Sequence, residues 1–285
     1  MKQYGGIIRN IRNAKRLTLK EVAGNGVSVS QLSSFETGKS KLTLDKFFTV
    51  LGNLGVSLEE FEHASHGYRF NPFDQLLKDA ANLFNDDNVY GLRKLINDQK
   101  KKNFSGVRHE LTIIMIKTQL AEIDKKTRLR EEEKKRVVDY LINVCEWTHF
   151  ELILYGNTMR LLSTDDLVDI TQDILSRTMY YQEIQRNRHL VIDIVLNSII
   201  MMIDRKELSH ARSFEKLLCE KRIDEANLFD KNLLLFATGV LEFYEGKKDF
   251  GKRKMRQAIE LFNILESYHL AERYQVDYEK IIMDD

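Results

Sequence analysis

The side chains of this sequence that could carry catalysis or bind a metal are few and scattered. Its seven histidines include one close pair, His63 and His66, with no third ligand nearby, and its two cysteines, Cys145 and Cys219, lie far apart. A structural zinc site needs four such ligands at a defined spacing, and the Walker loop, the dinucleotide glycine motif and HExxH are missing from the sequence. We therefore expect a protein that is not an enzyme, with no metal and no cofactor.

Small polar and basic residues in the first fifty positions offer chemistry of another kind, recognition by hydrogen bonds and charge. Ser28 and Gln31 have the spacing of a helix N-cap, and Gly38 is a typical residue just past a helix end. Leu32 and Phe35 give this short helix a buried side. Its outward side carries small polar residues, Ser30, Gln31 and Ser34.

Four further helices must position this one. Apolar residues at helical spacing predict the first, and capping boxes predict the starts of the second, at Thr18 and Glu21, and the fifth, at Ser57 and Glu60. Glycines around Asn25 favour a turn between the second and third helices. The helices are expected at 4–14, 18–23, 28–37, 43–54 and from 57 onward. Together they predict a compact five-helix module.

Charge is distributed unevenly along the chain. Residues 1–46 hold nine basic and three acidic residues, a net charge of +6, whereas the whole chain carries +1 and the remainder therefore −5. A basic module on a mildly acidic body predicts an anionic partner for the module alone.

The distribution of apolar residues indicates the cellular location of the protein. No stretch approaches the ~20 uninterrupted apolar residues of a membrane span, since Asp193 and Asn197 interrupt the most apolar run. The first residues lack the apolar core of a signal peptide. These features predict a cytoplasmic protein that does not contact membranes.

Beyond a short linker the chain reads as one helix after another, and an all-α fold is expected. Pro72 is its single proline, and alternating strand patterns are absent. Paired helices of this length predict an α-solenoid, and the pair on either side of Gly246 resembles a degenerate tetratricopeptide repeat. The expected domains are 1–66, a linker at 67–71, and a ligand-binding and dimerisation domain at 72–285. The expected helices of this body are 72–85, 88–101, 106–126, 131–145, 147–162, 164–182, 186–204, 208–221, 224–246, 249–266 and 268–283.

The concave face of such a solenoid could hold an extended peptide. An extended backbone needs amide side chains to meet its N–H and C=O groups, and three asparagines lie inside otherwise apolar helical stretches. Arginines could bind a peptide carboxylate through two hydrogen bonds, and tyrosines offer amphipathic contact area. The candidate peptide-binding residues are Asn157, Arg160, Tyr180, Tyr181, Arg186, Asn197 and Asn232. Each could instead cap a helix, pack in the core or face water.

Several stretches of the N-terminal module resemble the lambdoid-repressor, or Xre-type, helix-turn-helix. The matching stretches are Ile11–Lys15, Leu17–Ala23, Val27–Lys39 and Leu54–Ser57. This resemblance implies a five-helix lambda-repressor-like domain whose third helix enters the major groove of DNA.

The same resemblance implies roles for individual residues. It places Val29, Ser30 and Ser34 where base contacts occur, with Gln31 beside them. Phosphate contacts, which orient the protein without reading sequence, fall on Arg12, Thr18, Lys20, Lys39 and Lys41. Arg12 and Glu36 also match a structural ion pair of similar repressors, so Arg12 could serve the scaffold as well.

The whole chain resembles the Rgg/GadR/MutR transcriptional regulators of Gram-positive bacteria, which belong to the wider class of peptide-pheromone receptors. The middle of the chain carries this resemblance at Trp147, Phe150–Leu152 and Leu154–Met159. It implies a homodimer that binds double-stranded promoter DNA and responds to a short signalling peptide, as in quorum sensing. A peptide-independent stress or metabolite regulator of the same fold, and a non-transcriptional interaction protein, remain alternatives.

Overall fold

A computed structural model describes residues 4–102, 106–177, 185–220 and 223–283. These residues form sixteen α-helices and one 3₁₀ turn, with no strand among them, which confirms the expected all-α fold. They fall into two compact units, within Met1–Asp86 and Asp87–Asp285. Within the described ranges, no helix combines the length and apolar character that crossing a membrane requires. The helices are α1 Tyr4–Ala14, α2 Leu19–Ala23, α3 Val29–Glu36, α4 Leu44–Leu54, α5 Leu58–Ser65, α6 Pro72–Asn85, α7 Val89–Lys101, α8 Val107–Ile123, α9 Glu131–Ile142, α10 His149–Thr158, α11 Thr164–Arg177, α12 Gln185–Asp204, α13 Leu208–Glu220, α14 Leu228–Tyr244, α15 Lys248–Ile264 and α16 Tyr268–Met283.

Capping interactions set the helix starts of the first unit. The Thr18 hydroxyl accepts from the Glu21 N–H while the Glu21 carboxylate accepts from the Thr18 N–H, and Ser57 and Glu60 repeat this arrangement on α5. These reciprocal bonds satisfy backbone donors that have no partner inside the helix. Gly55 ends α4 with φ +60, a left-handed conformation that glycine adopts without steric cost. The capping boxes predicted from sequence are therefore present.

The core of the first unit joins its first five helices. Ile8 of α1, Val22 of α2 and Leu32 of α3 are fully buried, and Phe61 of α5 packs into the same cluster. Helix α3 contacts both α1 and α2, and α2 also contacts α4. Since burial of one large aliphatic side chain contributes about 1.5–3 kcal/mol, this cluster fixes the position of α3 against its neighbours.

The second unit contains a row of helices, each packed on the next. Helices α8, α10, α12 and α14, here called the central row, contact one another in that order. Helices α9, α11, α13 and α15 each contact one or two members of the row. Tyr155 of α10 is fully buried and bonds the hydroxyl of Thr171 on α11 at 2.7 Å, and Thr171 in turn bonds Ser198 of α12 at 3.1 Å. This hydroxyl chain ties the row to α11.

Helices α14 and α15 approach each other closely at two glycines. A Cβ on Gly251 would lie 2.5 Å from the carbonyl oxygen of Gly239, and a Cβ on Gly239 would lie 2.9 Å from the carbonyl oxygen of Gly251. The two backbones touch because neither residue has a side chain. Phe262 of α15 and Phe236 of α14 fill the neighbouring space, both against Tyr274 of α16.

Candidate nucleic-acid interface and ligand-binding face

Helix α3 presents a small polar surface beside its buried side. Ser28 caps its start by accepting from the N–H of Gln31 at 3.1 Å. Val29 is 44% exposed, Ser30 is exposed, and Ser34 is half-buried one turn further on. We call Val29, Ser30 and Ser34 the reading face. Its short side chains would let the α3 backbone approach base edges in a major groove.

The lysines expected near phosphates lie on α2 and in the loop between α3 and α4. Lys20 on α2 is exposed, as are Lys39 and Lys41 in the loop between α3 and α4. That loop turns tightly, since the N–H groups of Lys39 and Ser40 both donate to the carbonyl of Ser34. The turn holds Lys39 directly after the end of α3.

Arg12 is bound inside the first unit. Its Nε and Nη2 donate to the two carboxylate oxygens of Glu36 at 2.7 and 2.8 Å, and Nη1 donates to the carbonyl of Leu17 at 2.9 Å. The side chains are 12% and 3% exposed. The hydrogen bond and the charge of Glu36 raise the pKa of Arg12. Arg12 therefore links α1 to α3, which is the scaffold alternative stated above, and all three nitrogens of its guanidinium are engaged.

Gln31 has a partner that the sequence pattern did not indicate. The Nζ of Lys46, on α4, donates to the Oε1 of Gln31 at 3.0 Å, and both side chains are half-buried. Fifteen residues separate the two positions, so no helical spacing relates them. The fold of the first unit brings them together, because α3 and α4 both contact α2.

In the second unit, α8 meets two of the candidate peptide-binding residues. The Oδ1 of Asn157 accepts from the Nε2 of Gln119 at 2.7 Å, and the Nε of Arg160 lies 3.6 Å from a carboxylate oxygen of Glu122. The side chain of Arg160 is 67% exposed. Gln119 and Glu122 are one turn apart on α8, and Arg160 lies in the 3₁₀ turn Met159–Leu161 that follows α10. The two pairs therefore form one polar strip between α8 and the end of α10.

The electrostatics of this strip depend on Arg160. Partial burial raises the pKa of Glu122, and the positive charge of Arg160 opposes that rise. Asp204, at the end of α12, has its pKa raised by burial and opposed by Arg160 in the same way. The exposed guanidinium of Arg160 thus acts electrostatically on Glu122, whose side chain is 31% exposed, and on the exposed Asp204. Neither Glu122 nor Asp204 was marked by the sequence, because acidic residues at helix ends are common.

The other candidate residues lie in different settings. Asn197 is exposed on α12. Asn232 is 6% exposed and donates from Nδ2 to the carbonyl of Ala258 on α15 at 2.9 Å, while its Oδ1 is buried with no partner among the described residues. Tyr180, Tyr181 and the side chain of Arg186 lie outside the described residues. The structure therefore brings Asn157 and Arg160 together and places Asn232 in a helix-pair contact.

Comparisons with known proteins match both units. Residues 93–276 match the family described as "HTH-type transcriptional regulator Rgg, C-terminal domain", and residues 8–61 match the helix-turn-helix family. The Streptococcus dysgalactiae SHP pheromone receptor Rgg2 is 27% identical, with a TM-score of 0.80 over 97% of this chain and 99% of that chain.

More distant structures share the fold. A chain from Listeria monocytogenes EGD-e is 24% identical, with a TM-score of 0.87 over 99% of this chain and 98% of that chain. The chain of the PrgX/cCF10 complex is 11% identical, with a TM-score of 0.73 over 98% of this chain and 99% of that chain. Both extend the structural likeness over nearly the full length.

Proposed function

Because this chain belongs to the Rgg family of helix-turn-helix transcriptional regulators, we propose that α3 reads a promoter sequence and that a short peptide on the central row controls this reading. The observation that carries the first part is the reading face of α3, with two serines and the exposed Val29, followed along the chain by the exposed Lys39 and Lys41. As a homodimer the protein would bind two half-sites roughly one helical turn apart.

The peptide part of the proposal rests on the polar strip between α8 and α10. The exposed guanidinium of Arg160 can exchange Glu122 for the carboxylate of a peptide through two hydrogen bonds. The exposed Asn197 offers an amide group to an extended backbone. Asn157 would contribute by exchanging its bonds to Gln119 and to the carbonyl of Ile153 for bonds to the peptide. The SHP pheromone receptor Rgg2, a structural relative at 27% identity, supports a peptide as the ligand class.

Substitutions on the reading face are expected to change the sequence preference of DNA binding, whereas substitutions of the lysines are expected to change its overall affinity. Ser30→Ala combined with Ser34→Ala should lower the preference for the operator over unrelated DNA about tenfold, since each hydroxyl makes a single hydrogen bond and such a bond contributes ~0.5–1.5 kcal/mol. Lys39→Ala should weaken binding to every sequence and reduce the salt slope by about 1. Chromatin capture supplies the operator, and electrophoretic shifts over a salt series measure both effects.

A lysine in the second unit provides the control for this experiment. Lys216→Ala removes the same charge from an exposed site on α13 and should leave operator affinity and salt slope unchanged. Undiminished discrimination in the serine double variant would remove the reading face from the proposal. Binding of the wild-type chain to no duplex at all would refute the DNA-binding function.

Substitutions on the central row are expected to weaken peptide binding. A library of synthetic hydrophobic octapeptides with free carboxylates, screened by its effect on the DNA shift, supplies the probe. Asn157→Ala, Arg160→Ala and Asn197→Ala should each weaken the best peptide about tenfold in calorimetry, because each lost polar contact costs ~1–2 kcal/mol. Amidation of the peptide carboxylate should reproduce the Arg160→Ala loss.

Two further variants separate contact from packing. Asn232→Ala is expected to lower the thermal stability of the chain as well as peptide affinity, because Asn232 bonds the backbone of α15. Asn143→Ala changes an exposed asparagine that bonds only its own helix and should alter neither. Affinities within error of wild type for Asn157→Ala, Arg160→Ala and Asn197→Ala together would place the peptide site elsewhere or favour the peptide-independent regulator.

A further inference from the structure

We propose that Lys46 is a specificity-determining residue. Because Lys46 donates to the side-chain oxygen of Gln31, the pair presents only hydrogen-bond donors to a base, and it therefore prefers guanine over adenine. This inference rests on the proposed reading of DNA by α3 and goes beyond it, because it names a base preference and the residue that sets it.

The geometry of the pair fixes which Gln31 atoms are free. Lys46 Nζ lies 3.0 Å from Gln31 Oε1 and donates to it. The neighbouring Asp45 carboxylate is tied to the hydroxyl of Thr43, and this bond keeps its pKa below the ordinary value. Lys46 Nζ bonds the oxygen of Gln31, so the hydrogens of the Gln31 NH₂ group are the part of this amide that can serve a base.

The position of the pair suits a base contact. Gln31 lies in the first turn of α3, between Ser30 and Ser34 of the reading face, and the first turn of such a helix contacts the base edges. The side chain of Gln31 is half-buried and bonded to Lys46 of α4, so its direction is more restricted than that of an exposed glutamine. A restricted amide presents a defined set of hydrogen-bonding groups to the groove.

The chemistry of the bases then decides the preference. A free glutamine pairs with adenine by accepting from N6 and donating to N7. Here the oxygen of Gln31 already accepts a hydrogen bond from the ammonium group of Lys46. The N6 amino group of adenine is also a donor, so it would face this cation without an acceptor of its own. Guanine instead presents two acceptors, O6 and N7, which match the Gln31 NH₂ and the remaining hydrogens of Lys46.

The alternative role for Lys46 is a phosphate contact. A lysine that contacts only phosphate weakens all sequences uniformly and lowers the salt slope, without changing which bases are chosen. The two roles therefore differ in a quantity that a selection experiment measures directly, namely the base frequency at one position of the bound sites.

The test uses the full chain and a library of random DNA duplexes, selected by binding and sequenced. Wild type should enrich a motif with guanine at the position contacted by Gln31. Lys46→Met keeps the length of the side chain but removes the ammonium, and it should change the guanine-to-adenine ratio there about tenfold in favour of adenine, in line with the ~1–3 kcal/mol of a base contact. Gln31→Ala should remove the preference at the same position and leave the others intact.

Lys41→Met, at an exposed lysine in the loop before α4, is the matched control and should weaken all sequences without changing the motif. If Lys46→Met behaves like this control, or leaves the motif unchanged at the position that Gln31→Ala affects, the proposal is wrong. If wild type enriches no motif, both the reading function and this inference are wrong. If wild type enriches a motif that Lys46→Met leaves unchanged, only this inference is wrong. Equal thermal melting of wild type and Lys46→Met excludes misfolding as the cause.

Discussion

Gly5→Ala is expected to unfold the first five helices or leave them only partly folded, whereas Gly6→Ala is expected to stabilise them slightly. A Cβ on Gly5 would lie 1.8 Å from the carbonyl oxygen of Phe35 and 2.6 Å from its carbonyl carbon. Both are backbone atoms of α3, so no side-chain rotation can relieve the clash, and α1 must move away from α3. Overpacking of a core costs about 1–3 kcal/mol and more where backbone must shift, which is a large part of the stability of a small domain.

Gly6 is the matched control because it lies next to Gly5 on the same helix. A Cβ at Gly6 meets nothing within 4 Å, so Gly6→Ala should gain about 0.5–1 kcal/mol from helix propensity alone. Hydrogen exchange of the amides in α1–α5 of the full chain measures both changes, and operator binding should be lost only in Gly5→Ala. Similar protection in the two variants would mean that the close approach of α1 to α3 is not required.

The contrast between these two glycines shows which part of the fold could be predicted from the sequence. Local patterns predicted the starts of α2 and α5, because the residues of a capping box are three apart and interact within one turn. The tight contact at Gly5 depends on Phe35, thirty positions later, and the sequence of α1 alone does not distinguish Gly5 from Gly6. The Lys46–Gln31 pair was missed for the same reason.

The sequence indicated some residues of the polar strip between α8 and α10 and not others. Asn157 and Asn232 stood out by the same signal, an asparagine inside an apolar helix, yet Asn157 faces α8 and Asn232 is buried against α15. A polar residue in an apolar helix predicts that a hydrogen-bonding partner exists, not whether that partner belongs to the chain or to a ligand. Gln119 and Glu122 completed the strip only once α8 was placed beside α10, because without a strict repeat period the packing order of the helices cannot be derived from spacing.

Glu36→Ala is expected to cost the first unit about 3–5 kcal/mol, the range found when one partner of a buried ion pair is removed. Glu36 is 6% exposed, and its carboxylate binds two of the three nitrogens of the Arg12 guanidinium. Without it, a cation that is 12% exposed keeps only the carbonyl of Leu17. A loss of that size would leave α3 poorly held, so operator binding should fall together with hydrogen-exchange protection.

Replacement of both Arg12 and Glu36 by leucine separates the two possible roles of Arg12. Arg12→Leu combined with Glu36→Leu removes both charges and should recover most of the lost stability, since replacing a buried pair by apolar residues is often neutral or stabilising. If Arg12 serves only the scaffold, this double variant binds the operator with an unchanged salt slope. If Arg12 also contacts a phosphate, the double variant is stable but its salt slope falls by about 1.

A double variant as unstable as Glu36→Ala would instead mean that the hydrogen bonds of this pair, including the one to the Leu17 carbonyl, cannot be replaced by packing. The position of α3 would then depend on a polar link rather than on the apolar core around Leu32.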